Sequence, residues 1–367
     1  MKLSCHLLFW LMVVACSPVP DVHRDERGNE VPEPFVAVGG VANPTDIARF
    51  LGGRPVRNGA RLSRLQREDE YQAFSRDNLS KWKYRTSKRI AAQVEWSGQY
   101  LEPLAGTPRT VVYPFGGPDL LYVAALFPES SRYVMMGLEP VGAMPDLENT
   151  DPGAVISSLR GHDRAVETQL LHGYFITKDM KTDFSHAAWQ GVTPVLLTAV
   201  GLMNGQDVDV RAVDAGGNPA VEIVFTLPGR GRKSVVYVQG DLSNQGFGGS
   251  YESWLAARAG SGSVAYFKAA SYLLQDDRFS GIREFVLGRC KAVVQDDSGV
   301  PYRFFDQGVW DVHLFGRYTG PIGFFERHAQ ADLAAAYQAA GPRPPLTFGS
   351  GYQMEASSAN LLIARRK

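Results

Sequence analysis

The residue types best placed to do chemistry lie in Val111-Val112-Tyr113-Pro114-Phe115-Gly116-Gly117-Pro118-Asp119 and in Tyr133 to Glu139. The first run reads as a strand that breaks at a Gly-rich turn into a helix, and the second as a further strand ending in an acid. Glu139 lies 23 residues after Gly116. Glycines at such a turn let the backbone approach a ligand closely, and an acid at the second strand end can accept hydrogen bonds from a diol. Two residues oppose a phosphate at this turn. Pro118 removes an N–H from the place an anion would occupy, and Asp119 puts negative charge at the helix start. The candidates for cofactor binding are therefore Gly116, Gly117 and Glu139, and those for acid–base work are Asp119 and Glu139. The plainer reading makes Asp119 a helix N-cap and Glu139 the start of a loop.

Other constellations are weaker. In Trp310 to Arg317 the residues alternate, so Asp311 and His313 share one strand face and could form a base with its orienting carboxylate; a polar outer face explains them equally. Asp296-Asp297, with Arg303 nearby, and Asp276-Asp277 are acid pairs. Asp296-Asp297-Ser298-Gly299 reads as a hairpin turn between Val293-Val294 and Tyr302 to Phe305, with Asp297 a further catalytic candidate. His162 falls on a helical stripe with Val155, Leu159, Val166 and Leu170, as a core histidine does. His172 sits beside Gly173. No His-Glu-x-x-His, zinc-spaced Cys/His set, EF-hand loop or Gly-x-Ser-x-Gly is present, so no metal site and no serine hydrolase of the common type is expected. No cofactor is assigned.

The elements that must hold these residues mix helices and strands. Leu65 to Leu101 reads as helical with breaks. Strands are expected at 111–115 and 133–138, with a helix over 119–127 between them. Asp151-Pro152 opens another helix with Asp as N-cap, and 193–203 is a further one. Strands then follow at 208–213, 221–227 and 234–238, the last apolar on both faces as a covered central strand is. An Ala-rich helix over 330–340 stops at Gly341-Pro342. The fold class is α/β: a mixed sheet flanked by helices in three layers, possible as two lobes, a helix-rich one over 36–204 and a strand-rich one over 205–367, or as one domain.

Charge narrows the partners. The chain of 367 residues carries 38 basic and 38 acidic side chains. That balance argues against nucleic-acid binding. Between Arg54 and Arg89 eleven Lys or Arg face four Asp or Glu. This stretch reads as a solvated helix face partnered by Glu68, Asp69 and Glu70, or as a patch for lipid phosphates or acidic glycans. Trp82, Trp96, Trp189, Trp254 and Trp310 read mainly as core.

The N-terminus supplies an address. Leu7 to Ala15 is an apolar run too short to span a bilayer, which needs roughly 20 residues, and it ends in Val13-Val14-Ala15-Cys16. That motif resembles a bacterial lipobox. The resemblance implies a signal peptide over 1–15, lipidation of Cys16, a Pro-rich tether over 16–35 and, with Ser17 following, attachment to the outer membrane with the body in the periplasm or at the cell surface. Cys5 leaves with the signal peptide, so Cys290 would have no disulfide partner and is read as a buried thiol. The runs Tyr113 to Asp119, Gly137 to Gly142 and Gln295 to Tyr302 resemble patterns in uncharacterised bacterial envelope proteins, a resemblance that implies no activity. The expectation is an envelope lipoprotein that binds a glycan, lipid or protein without catalysis. The alternatives are an envelope hydrolase with its site near Tyr113 to Asp119, Glu139 and Asp296 to Arg303, or a dinucleotide-binding or methyltransferase-like fold with a lost or repurposed site.

Overall fold

Short apolar segments dictate the centre of the molecule. Thr110–Tyr113 (β1), Val264–Phe267 (β6) and Ala292–Gln295 (β7) are buried at every position. Four-residue strands with no polar face fit only the inside of a sheet covered on both sides. The computed structural model, which describes residues 35, 37, 39–161 and 189–367, places them there. The other strands are Arg132–Gly137 (β2), Gln206–Asp214 (β3), Pro219–Leu227 (β4), Gly231–Gln239 (β5), Trp310–Gly316 (β8) and Asn360–Arg366 (β9). They form one nine-stranded sheet in the order β3-β4-β5-β2-β1-β6-β7-β9-β8. β5, β2, β1, β6 and β7 run parallel. β3 and β4 add antiparallel ribbons at one edge, and β9 and β8 do so at the other. The fold is thus the expected α/β mixed sheet flanked by helices.

Alternation along each central strand splits the core in two. Val111, Tyr113, Tyr133, Met135, Val235 and Tyr237 pack with the helices Pro44–Leu51, Leu120–Leu126 and Val192–Leu202. Val112, Val134, Val236, Val238 and Phe267 pack on the opposite face with Gly249–Ala259, Ser280–Arg289 and Ala331–Ala339. Strands from both sides of residue 205 interleave in this sheet, and Phe35–Lys367 forms one compact unit.

The long helical stretch is continuous from Asp69 to Ala105, with π-helical turns at Thr86–Ile90 and Ser97–Leu101. The basic residues between Arg54 and Arg89 are not simply a solvated face. Arg54 donates to the carbonyls of Gly201 and Leu202, Arg61 to those of Leu147 and Thr150, and Arg89 to that of Gly349. Of the expected acidic partners, Glu70 pairs instead with Arg160, outside this stretch, at 3.4 Å, whereas within it Lys81 pairs with Asp77 at 2.6 Å. Asp151 caps as expected, accepting the Ala154 N–H at 3.1 Å. That helix is described over 152–161; its expected end at Gly173, His162 and His172 lie outside the described residues, as does everything read from residues 1–34.

The chain between β2 and β3 leaves and returns through a narrow neck. The N–H of Val192 donates to the carbonyl of Pro140 and that of Thr193 to Val141, both at 2.9 Å. A Cβ on Gly142 would fall 2.0 Å from the Gln190 carbonyl oxygen, so the two backbones touch.

One expected hairpin is absent. Tyr302–Phe304 is a 3₁₀ turn, not a strand. β7 instead pairs with β6 and β9: a strand buried at every position must satisfy its backbone N–H and C=O groups on both edges. Among the described residues no helix is long and apolar enough to cross a membrane.

Cys290 is fully buried with a free thiol, which burial pushes up to about 11. A thiol reagent at neutral pH should therefore leave Cys290 unmodified until denaturant unfolds the chain, as read by the mass of its peptide; modification of the native protein at an ordinary rate would contradict its burial.

Candidate functional site

The crossovers define where a ligand can sit. The β1–β2 connection runs over one face through Leu120–Leu126, and the β5–β6 connection runs over the other through Gly249–Ala259. The parallel strands, counted in chain order, are therefore arranged 3-2-1-4-5, and the winding reverses between β1 and β6. In open parallel sheets ligands bind outside the carboxyl ends of the strands at such a reversal. A cleft of about 640 Å³ opens there. Tyr113, Gly116, Gly117 and Asp119 reach it from β1, Gly137 and Glu139 from β2, Gly240 and Asp241 from β5, and Lys268, Ala269 and Ser271 from β6. Phe115, Phe279, Ile322, Phe324, Phe325 and Tyr352 give it an apolar and aromatic wall.

The sequence candidates Gly116, Gly117, Asp119 and Glu139 thus converge. A Cβ on Gly116 would meet the Tyr113 ring at 2.7 Å, and one on Gly137 would meet Glu139 Oε2 at 2.4 Å. Gly117 takes a φ of +53°, with Oε2 of Glu139 3.9 Å from where its Cβ would stand. The glycines therefore let the Glu139 carboxylate lie flat against two backbone turns. The Tyr237 hydroxyl, 3.0 Å from both Oε2 and the carbonyl oxygen of Glu139, donates to one or the other. Asp241, exposed at the end of β5, is oriented by the N–H and hydroxyl of Ser243, each at 2.8 Å.

Asp119 stands at the helix start, but its side chain caps nothing. Its carboxylate instead accepts the Tyr113 hydroxyl at 2.9 Å and pairs with the Lys268 ammonium. The Tyr122 ring centroid is 4.4 Å from Lys268 Nζ, a cation–π contact. Lys268 and Asp119 are both nearly inaccessible. Burial holds Lys268 below the usual lysine range, against the opposing pull of Asp119. Burial, reinforced by Asp119, holds the Tyr113 phenol well above its usual value. Asp119, Glu139 and Asp241 leave this end of the cleft acidic apart from Lys268. The helix behind Asp119 has only seven residues, and Pro118 offers no N–H. The site suits a neutral or cationic ligand better than a phosphate.

Asp296 and Asp297 do not line the cleft, and their turn is no exposed hairpin. Both are buried in the loop after β7, where they bond to the loop after β6. Oδ2 of Asp296 accepts the Ala269 N–H at 2.9 Å, Ser298 Oγ accepts the Ala270 N–H at 2.7 Å, and Oδ2 of Asp297 accepts the Tyr272 hydroxyl at 2.8 Å. Ala269, Ser271 and Tyr272 have φ between +52° and +56°, and Phe115 after β1 has a φ of +60°. They are four of the six described non-glycine residues with positive φ, and each costs about 1–3 kcal/mol. Strained backbone is concentrated on this cleft.

The remaining candidates are not brought in. Asp311 and His313 lie on the edge strand β8, 3.0 Å apart, with Arg365 3.1 Å from the same carboxylate oxygen. The bond from His313 holds Asp311 below its usual value. His313 borders a separate open groove with Tyr100 and Arg343. Arg303 stacks on Phe304 at 4.9 Å. Asp276 and Asp277 pair with Arg278 and Arg283 at 2.7 and 3.2 Å. Among the described residues no three His, Cys, Asp or Glu side chains gather as a metal site. Sequence reasoning missed Lys268, Asp241 and the wall from Phe279 to Tyr352; the signal for Lys268 was a cation directly after the apolar run Val264 to Phe267.

No family model, no curated protein and no solved structure matches this chain.

Burial, with the neighbouring Asp297 carboxylate, holds Asp296 up at about 6, against an ordinary 3.8. A folded-state value above the unfolded one contributes stability that is complete below about 4 and lost as pH rises through about 6. Between pH 4 and 7 the wild type should therefore lose on the order of 2–3 kcal/mol relative to Asp296→Asn, read from denaturant midpoints at each pH. A constant difference across that window would contradict the assignment.

Proposed function

We propose that the body is an envelope ligand-binding protein whose cleft takes a nucleoside-class ligand: a flat ring, a vicinal diol, and no phosphate. The observation that carries this reading is the position of Glu139. Its buried carboxylate stands at the end of β2, packed on Gly117 and Gly137 one strand from the winding reversal, where an acceptor pair meets a diol. The aromatic wall offers a surface for the ring, and the acids Glu139 and Asp241 favour hydroxyl and amino donors. A cationic nucleoside such as a sulfonium would also suit them, as in a methyltransferase-like unit. Support for the address is the lipobox resemblance alone: Cys16 lipidated in the outer membrane, the body tethered by residues 16–35. A second reading, an enzyme acting on that ligand, is favoured by the Tyr113–Asp119–Lys268 trio in the cleft wall, where proton donors and an acceptor are held together out of water. Fold alone does not decide between them.

A thermal-shift series with adenosine, S-adenosylmethionine, NAD and ATP tests the ligand class. Ligand at 100 times its dissociation constant adds about 2.7 kcal/mol of stability. Adenosine or the sulfonium should stabilise the protein and ATP should not; stabilisation by ATP alone would reverse the phosphate argument. Glu139→Gln should weaken the binding ligand about tenfold or more, the scale of a charged hydrogen bond. For the address, Cys16→Ser should leave an unprocessed or soluble form on fractionation, and an unchanged outer-membrane distribution would sink the lipid anchor.

A further inference from the structure

The floor of the cleft on the β6 side is built from outside it. Residues 268–272 supply Lys268, Ala269 and Ser271 to the cleft, yet three of them have φ in the left-handed region with a side chain present. A loop in that state persists only where its surroundings over-determine it. The Asp296-Asp297-Ser298 turn does so. It accepts the N–H groups of Ala269 and Ala270 and the hydroxyl of Tyr272, and is itself closed by the Ser298 N–H donating to Asp296 Oδ1 at 2.9 Å. Asn360 of β9 donates to Asp297 Oδ1 at 3.2 Å, and Gln330 to the Asp297 carbonyl at 2.8 Å, so the turn is anchored in turn. Gly351 lies so close to Asp296 that a Cβ there would overlap its carboxylate. From the opposite side the Tyr352 hydroxyl donates to the Ala269 carbonyl at 3.0 Å.

We propose that Asp296, Asp297 and Ser298 are positioning residues for the cleft: they hold Ala269–Tyr272 in the one backbone form that presents Ala269 and Ser271 to a ligand, and so set affinity without touching it. The inference rests on the reading of the cleft as a nucleoside site. It explains why two adjacent carboxylates are buried here, where desolvation is costly, although the sheet could close with an ordinary turn. It also separates the acid pair from catalysis, since neither carboxylate reaches the cleft.

The test uses the full chain with two variants that loosen the loop by different bonds. Ser298→Ala removes the acceptor for Ala270, and Tyr272→Phe removes the donor to Asp297 with almost no change in volume. Hydrogen exchange at the amides of Ala269 and Ala270 should speed at least about tenfold in Ser298→Ala, the scale of one lost hydrogen bond to a buried group. The amides of Val112 and Val134, in β1 and β2, should exchange as in the wild type. Adenosine affinity, by calorimetry, should fall about tenfold in both variants, the loss expected when binding must also order a loop. Should Ser298→Ala not fold, Tyr272→Phe carries both readouts. Faster loop exchange with unchanged adenosine affinity overturns the proposal, because the turn is then structural only. Unchanged loop exchange, or exchange raised equally in β1 and β2, overturns it as well. A wild type that binds neither adenosine nor S-adenosylmethionine sinks the ligand reading and this one with it, whereas a wild type that binds either one and variants that bind it equally sink only this one.

Discussion

One carboxylate fastens the centre of the molecule. Asp119 joins the end of β1, through the Tyr113 hydroxyl, to the end of β6, through Lys268, at the point where the sheet's winding reverses. Both charges are out of water, so each is tolerable only because of the other. Deleting one partner of such a pair costs about 3–5 kcal/mol, whereas replacing both with well-packed apolar groups is often neutral. The pair is therefore weak support for stability as such. It does fix the strand ends relative to one another, and the shape of the cleft follows from that.

What surrounds the pair divides by charge. Acids from β1, β2 and β5 face a single buried lysine, and aromatic side chains close the far side. A ligand entering this cleft exchanges water for fixed acceptors at one end and for ring surface at the other, the division that amphipathic flat molecules match. The backbone strain on both sides of the cleft, at Phe115 and at Ala269 to Tyr272, belongs to the same arrangement: the loops are bent to bring particular groups to one place.

Much of this was readable from residue order, and the gaps have identifiable causes. The glycines at 116 and 117, the acid at 139 and the strand-helix-strand plan around them were legible because a Gly-rich break in an apolar run has few uses. Asp151 was legible as a cap for the same local reason. The β6 and β9 strands were not, since Val264 to Phe267 is only four residues long and Asn360 to Arg366 shows no alternation of apolar and polar residues. With β6 unread, Lys268 had no place, and Asp296-Asp297 looked like an ordinary hairpin because its true partner, the loop after β6, lies 25 residues away from Asp297 at Tyr272. Asp311 and His313 show the converse. Their spacing on one strand face was read correctly, but a strand's position in the sheet is set by pairing far along the chain, and β8 proved to be the edge.

The neck formed by Pro140, Val141 and Gly142 against Gln190 to Thr193 closes the chain on itself where it leaves and rejoins the sheet. The two strands of chain are bonded to each other where they leave the sheet, so β2 and the helix Val192–Leu202 are held at a fixed separation whatever lies beyond. Closing a loop of twice the length costs only about 0.6 kcal/mol more. An insertion at exposed Ala143 or Met144 would thus cost the sheet little, provided that the two glycines 142 and 191 remain small enough for the backbones to touch, whereas Leu147, Val155 and Leu159 belong to the core and cannot be exchanged so freely.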